Sequence, residues 1–235
     1  MELNRNLNDR SNHATKHSRT FLERLPAGAQ RGLSSIQVAL TRGANVVLFS
    51  EKDEPRGLFV VLEGELRISI ASSEGRRLGL NIARTGDVLG LGAVVSGAPY
   101  DVTAETLYPA KLGFIDRASL TRFLARYPEV YPIITDELNR NFNMVCEQLR
   151  TVALSSTAPN KLAWLLLEWS ENDQASGSSR VRFTLKHEEI GEFIGATRET
   201  VSRTLRKFKL HNLIAFQGSM LTIPNRAALE SVACS

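Results

Sequence analysis

The sequence predicts an α+β protein with a β-rich N-terminal domain, a long central helix and a C-terminal winged helix-turn-helix. Three observations predict it. Short apolar runs separated by Gly, Asp, Pro and Ser recur between Thr41 and about Asp116. An apolar stripe at heptad-like steps runs from Ile134 to Val152. Near the C-terminus, two short helical patterns hinged on small residues precede a hairpin pattern. At 235 residues, 43% apolar and 23% charged, the chain has the length of two domains and the balance of a folded protein.

Residues 1–20 are rich in Asn, Arg, Ser and His without apolar periodicity, the composition of a mobile tail. From Phe21 to about Leu40, the residues Phe21, Leu22, Leu25, Leu33, Ile36 and Leu40 suggest short helical pieces broken at Pro26 and Gly28. The period then changes. Val46–Phe49, Leu58–Leu62, Leu66–Ile70, Leu78–Ile82 and Lys111–Ile115 read as strands of a sandwich, jelly roll or small barrel spanning 21–117. Glu63-Gly64-Glu65 reads as a tight hairpin and Ser72-Ser73-Glu74-Gly75 as a second turn.

From Ser119 the pattern is helical, with breaks at Pro128 and Pro132. Ile134, Leu138, Phe142, Val145, Leu149 and Val152 follow at steps of four, four, three, four and three. Such a stripe packs either on its own domain or on a second copy. Asn139, Arg140, Asn143 and Glu147 flank it and leave a seam narrow enough for a coiled-coil partner. This region, 118–154, ends at Ser155-Ser156-Thr157-Ala158-Pro159, a small-residue joint that marks the domain boundary.

The C-terminal domain, 155–235, opens with a helix from Pro159 to about Glu171 that turns Leu162, Leu165, Leu166 and Trp169 inward. A Gly/Ser turn at 176–179 and a strand at Arg182–Leu185 follow. Glu188 to Leu205 then has the spacing of a helix-turn-helix, with Ile190, Ile194, Val201 and Leu205 as its core. Gly191 gives room for a close crossing, and Gly195 takes the left-handed angle that ends the first helix. Lys186 stands where a capping Ser, Thr or Asp is expected, so Thr184 with a shifted start is the alternative. With Thr197 as N-cap of the second helix, Arg198, Glu199, Ser202 and Arg203 cluster at the end that enters a major groove, where arginine suits guanine and a carboxylate suits cytosine N4. Thr197, Thr200, Thr204, Arg206, Lys207 and Lys209 are candidates for phosphate contacts. Leu213–Phe216, a turn at Gln217-Gly218-Ser219, and Met220–Ile223 then form the hairpin of a wing. The pattern points to double-stranded DNA, and the net charge of +4 permits it.

This order of parts resembles the CRP/FNR superfamily of transcription regulators over residues 21 to 233. The resemblance is carried by Phe59-Val60-Val61-Leu62-Glu63-Gly64-Glu65-Leu66, Gly86-Asp87-Val88-Leu89-Gly90, Glu189-Ile190-Gly191 and Arg198-Glu199-Thr200-Val201-Ser202-Arg203. It implies a jelly-roll barrel of the cyclic-nucleotide-binding type, with an effector pocket at Leu89, Gly90, Leu91, Tyr100 and Asp101. The seam helix becomes a homodimer interface, and the operator becomes a palindrome with half-sites about one helical turn apart. RNA polymerase is the further partner the resemblance implies. In the family, the arginine matching Arg198 is typical of TGTGA-like half-sites, while the residues matching Glu199, Ser202 and Arg203 are typical of TTGAT-like ones. The shared core is TGA.

The sensor residues depart from the family's known inputs. Leu91 stands where cyclic-nucleotide binders carry a glutamate for the ribose, and Gly92 to Pro109 holds no Arg or Lys. It holds Asp101 and Glu105 instead, which would repel a phosphate. The two cysteines, Cys146 and Cys234, cannot furnish a four-cysteine iron-sulfur site, and Cys146 reads as a buried structural thiol. His13 and His17 read as solvated side chains of the tail, and His187 and His211 fall in the helix-turn-helix domain. Residues 21–150 hold no histidine, which argues against a haem in the barrel and against a metal-dependent barrel enzyme. The expectation is a regulator with no metal or cofactor, governed by an unidentified effector, or else a DNA binder whose barrel is only a dimer scaffold. Two distant cysteines, the absence of a secretory h-region before Arg19 and the lack of any apolar run of about 18 residues suit a cytoplasmic protein with no membrane partner.

Overall fold

The computed structural model describes residues 20–154, 157–174, 180–183 and 185–234. The tail at 1–19, Ser155 and Ser156 of the joint, the turn at 176–179 and Thr184 lie outside the described residues. The chain divides into two compact units, Arg19–Cys146 and a second that begins at Glu147.

The first unit opens with α1 (Phe21–Arg24), closed at its start by a capping box between Thr20 and Glu23, and α2 (Ala27–Ser35). Pro26 separates them, but Gly28 lies inside α2 rather than breaking it, and by Val38 the chain has already become a strand. The strands are β1 (Val38–Arg42), β2 (Val47–Phe49), β3 (Gly57–Glu63), β4 (Leu66–Ala71), β5 (Arg77–Ala83), β6 (Val88–Leu89), β7 (Thr103–Thr106) and β8 (Ala110–Asp116). A short helix, α3 (Leu91–Ser96), lies between β6 and β7. They form two antiparallel four-stranded sheets, ordered β1-β8-β3-β6 and β2-β7-β4-β5, the arrangement of a jelly roll. All five expected strands are present, and β1, β6 and β7 are additional.

The turn at Gly64 differs from its expectation. β3 pairs with β6 and β8 while β4 pairs with β5 and β7, so Glu63-Gly64-Glu65 is a corner between sheets and not a hairpin. Ser72–Gly75 does close a hairpin, with the Ser72 N–H donating to the Arg76 carbonyl at 2.9 Å between the paired β4 and β5. β3 explains its own continuous apolar run. Leu58 and Val60 enter a core shared with Phe21, Leu25, Leu33, Phe123 and Leu124, whereas Phe59 and Val61 enter the core between the sheets with Phe49, Leu66, Ile68 and Leu112. Both faces are buried, so no polar residue alternates.

Asp116 caps α4 (Arg117–Arg126), accepting from the Ser119 N–H at 2.9 Å, and a 3₁₀ turn at Pro128–Val130 leads into α5 (Tyr131–Leu154). Pro132 does not interrupt α5, because it occupies the first turn, where its missing N–H has no helical partner to lose.

The second unit contains the end of α5, α6 (Ala158–Gln174), β9 (Arg180–Arg182), α7 (His187–Ile194), α8 (Arg198–Leu210), β10 (Ala215–Gln217), β11 (Met220–Thr222) and α9 (Arg226–Ala233). The compact boundary therefore falls inside α5 and not at the Ser155–Pro159 joint. The Gln148 side-chain amide donates to the Phe193 carbonyl at 2.7 Å, and the Lys161 ammonium donates to the Val152 carbonyl at 2.6 Å near the helix end, where a cation is favoured. Leu162, Leu165, Leu166 and Trp169 of α6 are buried as expected. The wing is a three-stranded sheet ordered β10-β11-β9, with β9 earlier than the predicted Arg182–Leu185. Helix α9 had no counterpart in the sequence reading; it buries Leu229 and ties to α6 by a bond from the Arg226 guanidinium to the Ser170 hydroxyl at 3.3 Å. No described helix is long and apolar enough to cross a membrane.

Candidate nucleic-acid interface

The helix-turn-helix is built by local rules. Lys186 is the cap position of α7 after all, and the helix starts without a shift. An ammonium cannot accept a hydrogen bond, so only half of a capping box forms, with the Lys186 backbone N–H donating to the Glu189 carboxylate at 2.7 Å. Glu188 and Glu189 in the first turn suit the positive end of the helix dipole. Gly195, at φ 62°, ends α7 in the left-handed region. A Cβ at Gly191 would drive into the Ala196 carbonyl oxygen of the turn, so only glycine lets the turn fold back this tightly. The Thr197 hydroxyl then caps α8 by accepting from the Thr200 N–H at 3.3 Å.

Packing fixes which face of α8 is free. Ile190, Phe193, Ile194, Val201, Leu205 and Phe208 are buried, and Trp169 of α6 meets Phe193 edge-on at 5.5 Å. Arg198, Glu199, Arg203, Arg206 and Lys207 are left exposed on the opposite side. The Glu199 carboxyl is held below the usual carboxylate range by its own backbone N–H, then by the Thr197 hydroxyl and the Arg198 charge, so it stays an ionised acceptor. Lys209, also exposed, places its ammonium 4.4 Å over the Phe216 ring of β10, a cation–π contact that joins the helix to the wing.

Two of the predicted phosphate-binding hydroxyls are drawn back from solvent, whereas Thr197 is exposed. Thr204 is 3% exposed and donates to the Thr200 carbonyl at 2.8 Å, so it belongs to the core and is removed from the interface. Thr200 is half-buried, with its hydroxyl 3.1 Å from that of Thr197. Ser202 has a partner that sequence spacing could not show: its Oγ lies 2.7 Å from Nδ1 of His187, the first residue of α7, fifteen positions earlier.

The other candidate residues divide sharply. On α5, Ile134 is 3% exposed inside its own unit's core and Leu138 is half-buried against the same core, so Ile134 is corrected out of the free seam. Phe142 and Leu149 stand 66% and 50% exposed, seven residues apart, with Val145 and Val152 half-buried between and beyond them. Cys146 beside them is half-buried rather than fully buried.

In the barrel, Leu89, Leu91 and Tyr100 are buried side chains of the two cores, and Asp101 is exposed. The Tyr100 hydroxyl donates to the Gly57 carbonyl, and its ring stacks on Phe49 at 4.0 Å. That ring also covers Gly90, where a Cβ would lie 2.7 Å from it. Glu105 is not the bare repulsive charge expected of it. It accepts from Arg67 at 2.7 Å and Arg77 at 3.0 Å, so its charge is compensated within the sheet.

The known proteins that this chain resembles agree with these parts. Residues 41–127 match the family model of the cyclic nucleotide-binding domain, and residues 160–232 match that of the Crp-like helix-turn-helix domain. The nitrogen fixation regulation protein FixK of Bradyrhizobium diazoefficiens is 28% identical over 80% of this chain and 78% of its own. A CRP-like cAMP-activated global transcriptional regulator of Mycobacterium tuberculosis is 26% identical over 82% of this chain and 85% of its own. Among solved structures, FixK2 from Bradyrhizobium japonicum superposes with a TM-score of 0.76 at 21% identity, over 85% of this chain and 98% of that one.

Proposed function

The chain belongs to the CRP/FNR family of DNA-binding transcription regulators, a family of regulators and not of enzymes, and from that premise we propose that it acts as a homodimer on a palindromic operator with TGA-core half-sites. Arg198, Glu199, Ser202 and Arg203 read base edges; Thr197, Arg206 and Lys207 hold phosphates. The observation that carries this reading is the division of α8, with Val201, Thr204, Leu205 and Phe208 buried and the arginines and Glu199 exposed from the capped end onward. Phe142, Val145, Leu149 and Val152 supply the dimer seam, supported by the exposed aromatic and leucine at heptad spacing. RNA polymerase is the further partner, and the cytoplasm, where the chromosome lies, is the place of action.

The barrel favours a second reading of control. Leu89, Leu91 and Tyr100 occupy the place proposed for an effector as packed side chains, with the Tyr100 hydroxyl bonded to the backbone, which supports a scaffold that needs no ligand, and no cyclic nucleotide in particular. Selection of bound duplexes from a random pool by the purified, untreated protein tests both readings. Inverted TGA half-sites about one turn apart are expected. Enrichment that appears only after a small molecule is added restores the effector, and enrichment of single, unpaired sites removes the dimer.

A further inference from the structure

We propose that His187, outside the recognition helix, sets the hydrogen-bond polarity of Ser202 and is thereby a specificity-determining positioning residue. The proposal rests on the reading of Ser202 as a base contact. Among the described residues, several helical hydroxyls turn back onto their own helix. Ser34, Ser96, Thr121, Thr135 and Thr204 each donate to the carbonyl four residues earlier. Ser202 turns instead to a neighbouring helix, where its Oγ meets the His187 Nδ1 at 2.7 Å. Both residues lie on the solvent side of the helix-turn-helix, His187 exposed and Ser202 half-buried.

A serine hydroxyl has one proton and two lone pairs, and an imidazole nitrogen either accepts or donates. When the His187 Nδ1 is bare, it takes the Ser202 proton, and the oxygen offers only lone pairs to the groove. That state complements the exocyclic amino groups of adenine or cytosine. When Nδ1 carries a proton, the ring donates to Ser202 Oγ, and the serine O–H is released toward an acceptor such as guanine O6 or N7 or thymine O4. One side chain thus reads opposite base chemistries according to the state of a second. The charged residues on the two helices that carry the pair include Lys186, Glu188 and Glu189 at the start of α7, and Arg198, Glu199, Arg203 and Arg206 on the exposed side of α8. An imidazole nitrogen is either bare or protonated, so a change of pH is the natural probe.

The test is competitive binding by the full-length protein to operator duplexes in which each half-site position is varied through all four bases, at pH 8 and 5.5 and fixed salt. For the wild type, one base position shifts its preference toward acceptor bases by about three- to tenfold on acidification, the worth of one hydrogen bond. His187→Asn keeps a partner near the Nδ1 position without titrating, so the preference at that position is retained and its pH swing is lost. Ser202→Ala abolishes both the preference and the swing. A swing that survives in Ser202→Ala, or a His187→Ala variant that weakens all the duplexes equally, overturns the proposal and leaves His187 a backbone contact. A Ser202→Ala variant with every base preference intact overturns the underlying base-contact reading instead.

Discussion

The helix-turn-helix and the barrel carry their candidate residues in opposite ways. On α8 the chemistry stands outside, on a helix whose cap, turn and core are set within a few residues of it. In the barrel Leu89, Leu91 and Tyr100, expected to meet an effector, are inside, with Tyr100 bonded to the backbone, and Asp101 alone of the side chains stands outside. A surface array can be exchanged with little effect on folding, whereas a packed site cannot change without changing stability. The DNA-binding output of this protein is therefore separable from its scaffold, and its barrel is not separable from its own packing.

The comparison breaks most readily at Tyr100. Tyr100→Ala deletes a buried ring from the stack with Phe49 and is expected to lower stability by about 3 to 5 kcal/mol. Its sequence preference on DNA should be unchanged in the fraction that remains folded. Denaturant unfolding with parallel DNA competition measures both, and a stable variant that becomes ligand-responsive would show the ring to be a removable plug. Gly191→Ala is expected to cost about 3 kcal/mol, because the added carbon meets a backbone oxygen that cannot move aside. The loss should appear as weakened binding to every DNA.

Phe142→Ala is expected to weaken dimerisation by about 2 kcal/mol, read by sedimentation, since an exposed aromatic at the seam is the kind of anchor that dominates an interface. Ile134→Ala sharpens the contrast, because it should lower unfolding stability and leave the dissociation constant nearly alone. The smallest effect is expected for Lys207→Ala, which should weaken specific and random DNA alike and reduce the slope of binding against salt by about 1.

Much of the helix-turn-helix was legible because its determinants are local. Gly195, Thr197 and the apolar positions around them act over distances of three or four residues. Thr204 was misread because a hydroxyl looks polar in sequence, yet in the helix it bonds back to Thr200. The strands with long apolar runs were also legible. β6, with two residues, and β7, whose Glu105 pairs with arginines from two other strands, give no such signal. The Gly64 corner was misread because a turn's residues do not say which sheet the next strand joins. Ile134 was misread as seam because its burial depends on α1 and α2, more than a hundred residues earlier. The contact of His187 with Ser202, only fifteen residues apart, escaped notice because it forms only when two helices cross.

The central claim is that the exposed face of α8 reads sequence, and Arg203→Ala tests it most directly. Affinities for a selected palindrome and for random duplex, measured side by side at one salt concentration, should show a loss of about 1 to 3 kcal/mol on the palindrome, relaxed preference at one base pair of each half-site, and little change on random DNA. An equal loss on both would contradict the account and make Arg203 one more phosphate contact.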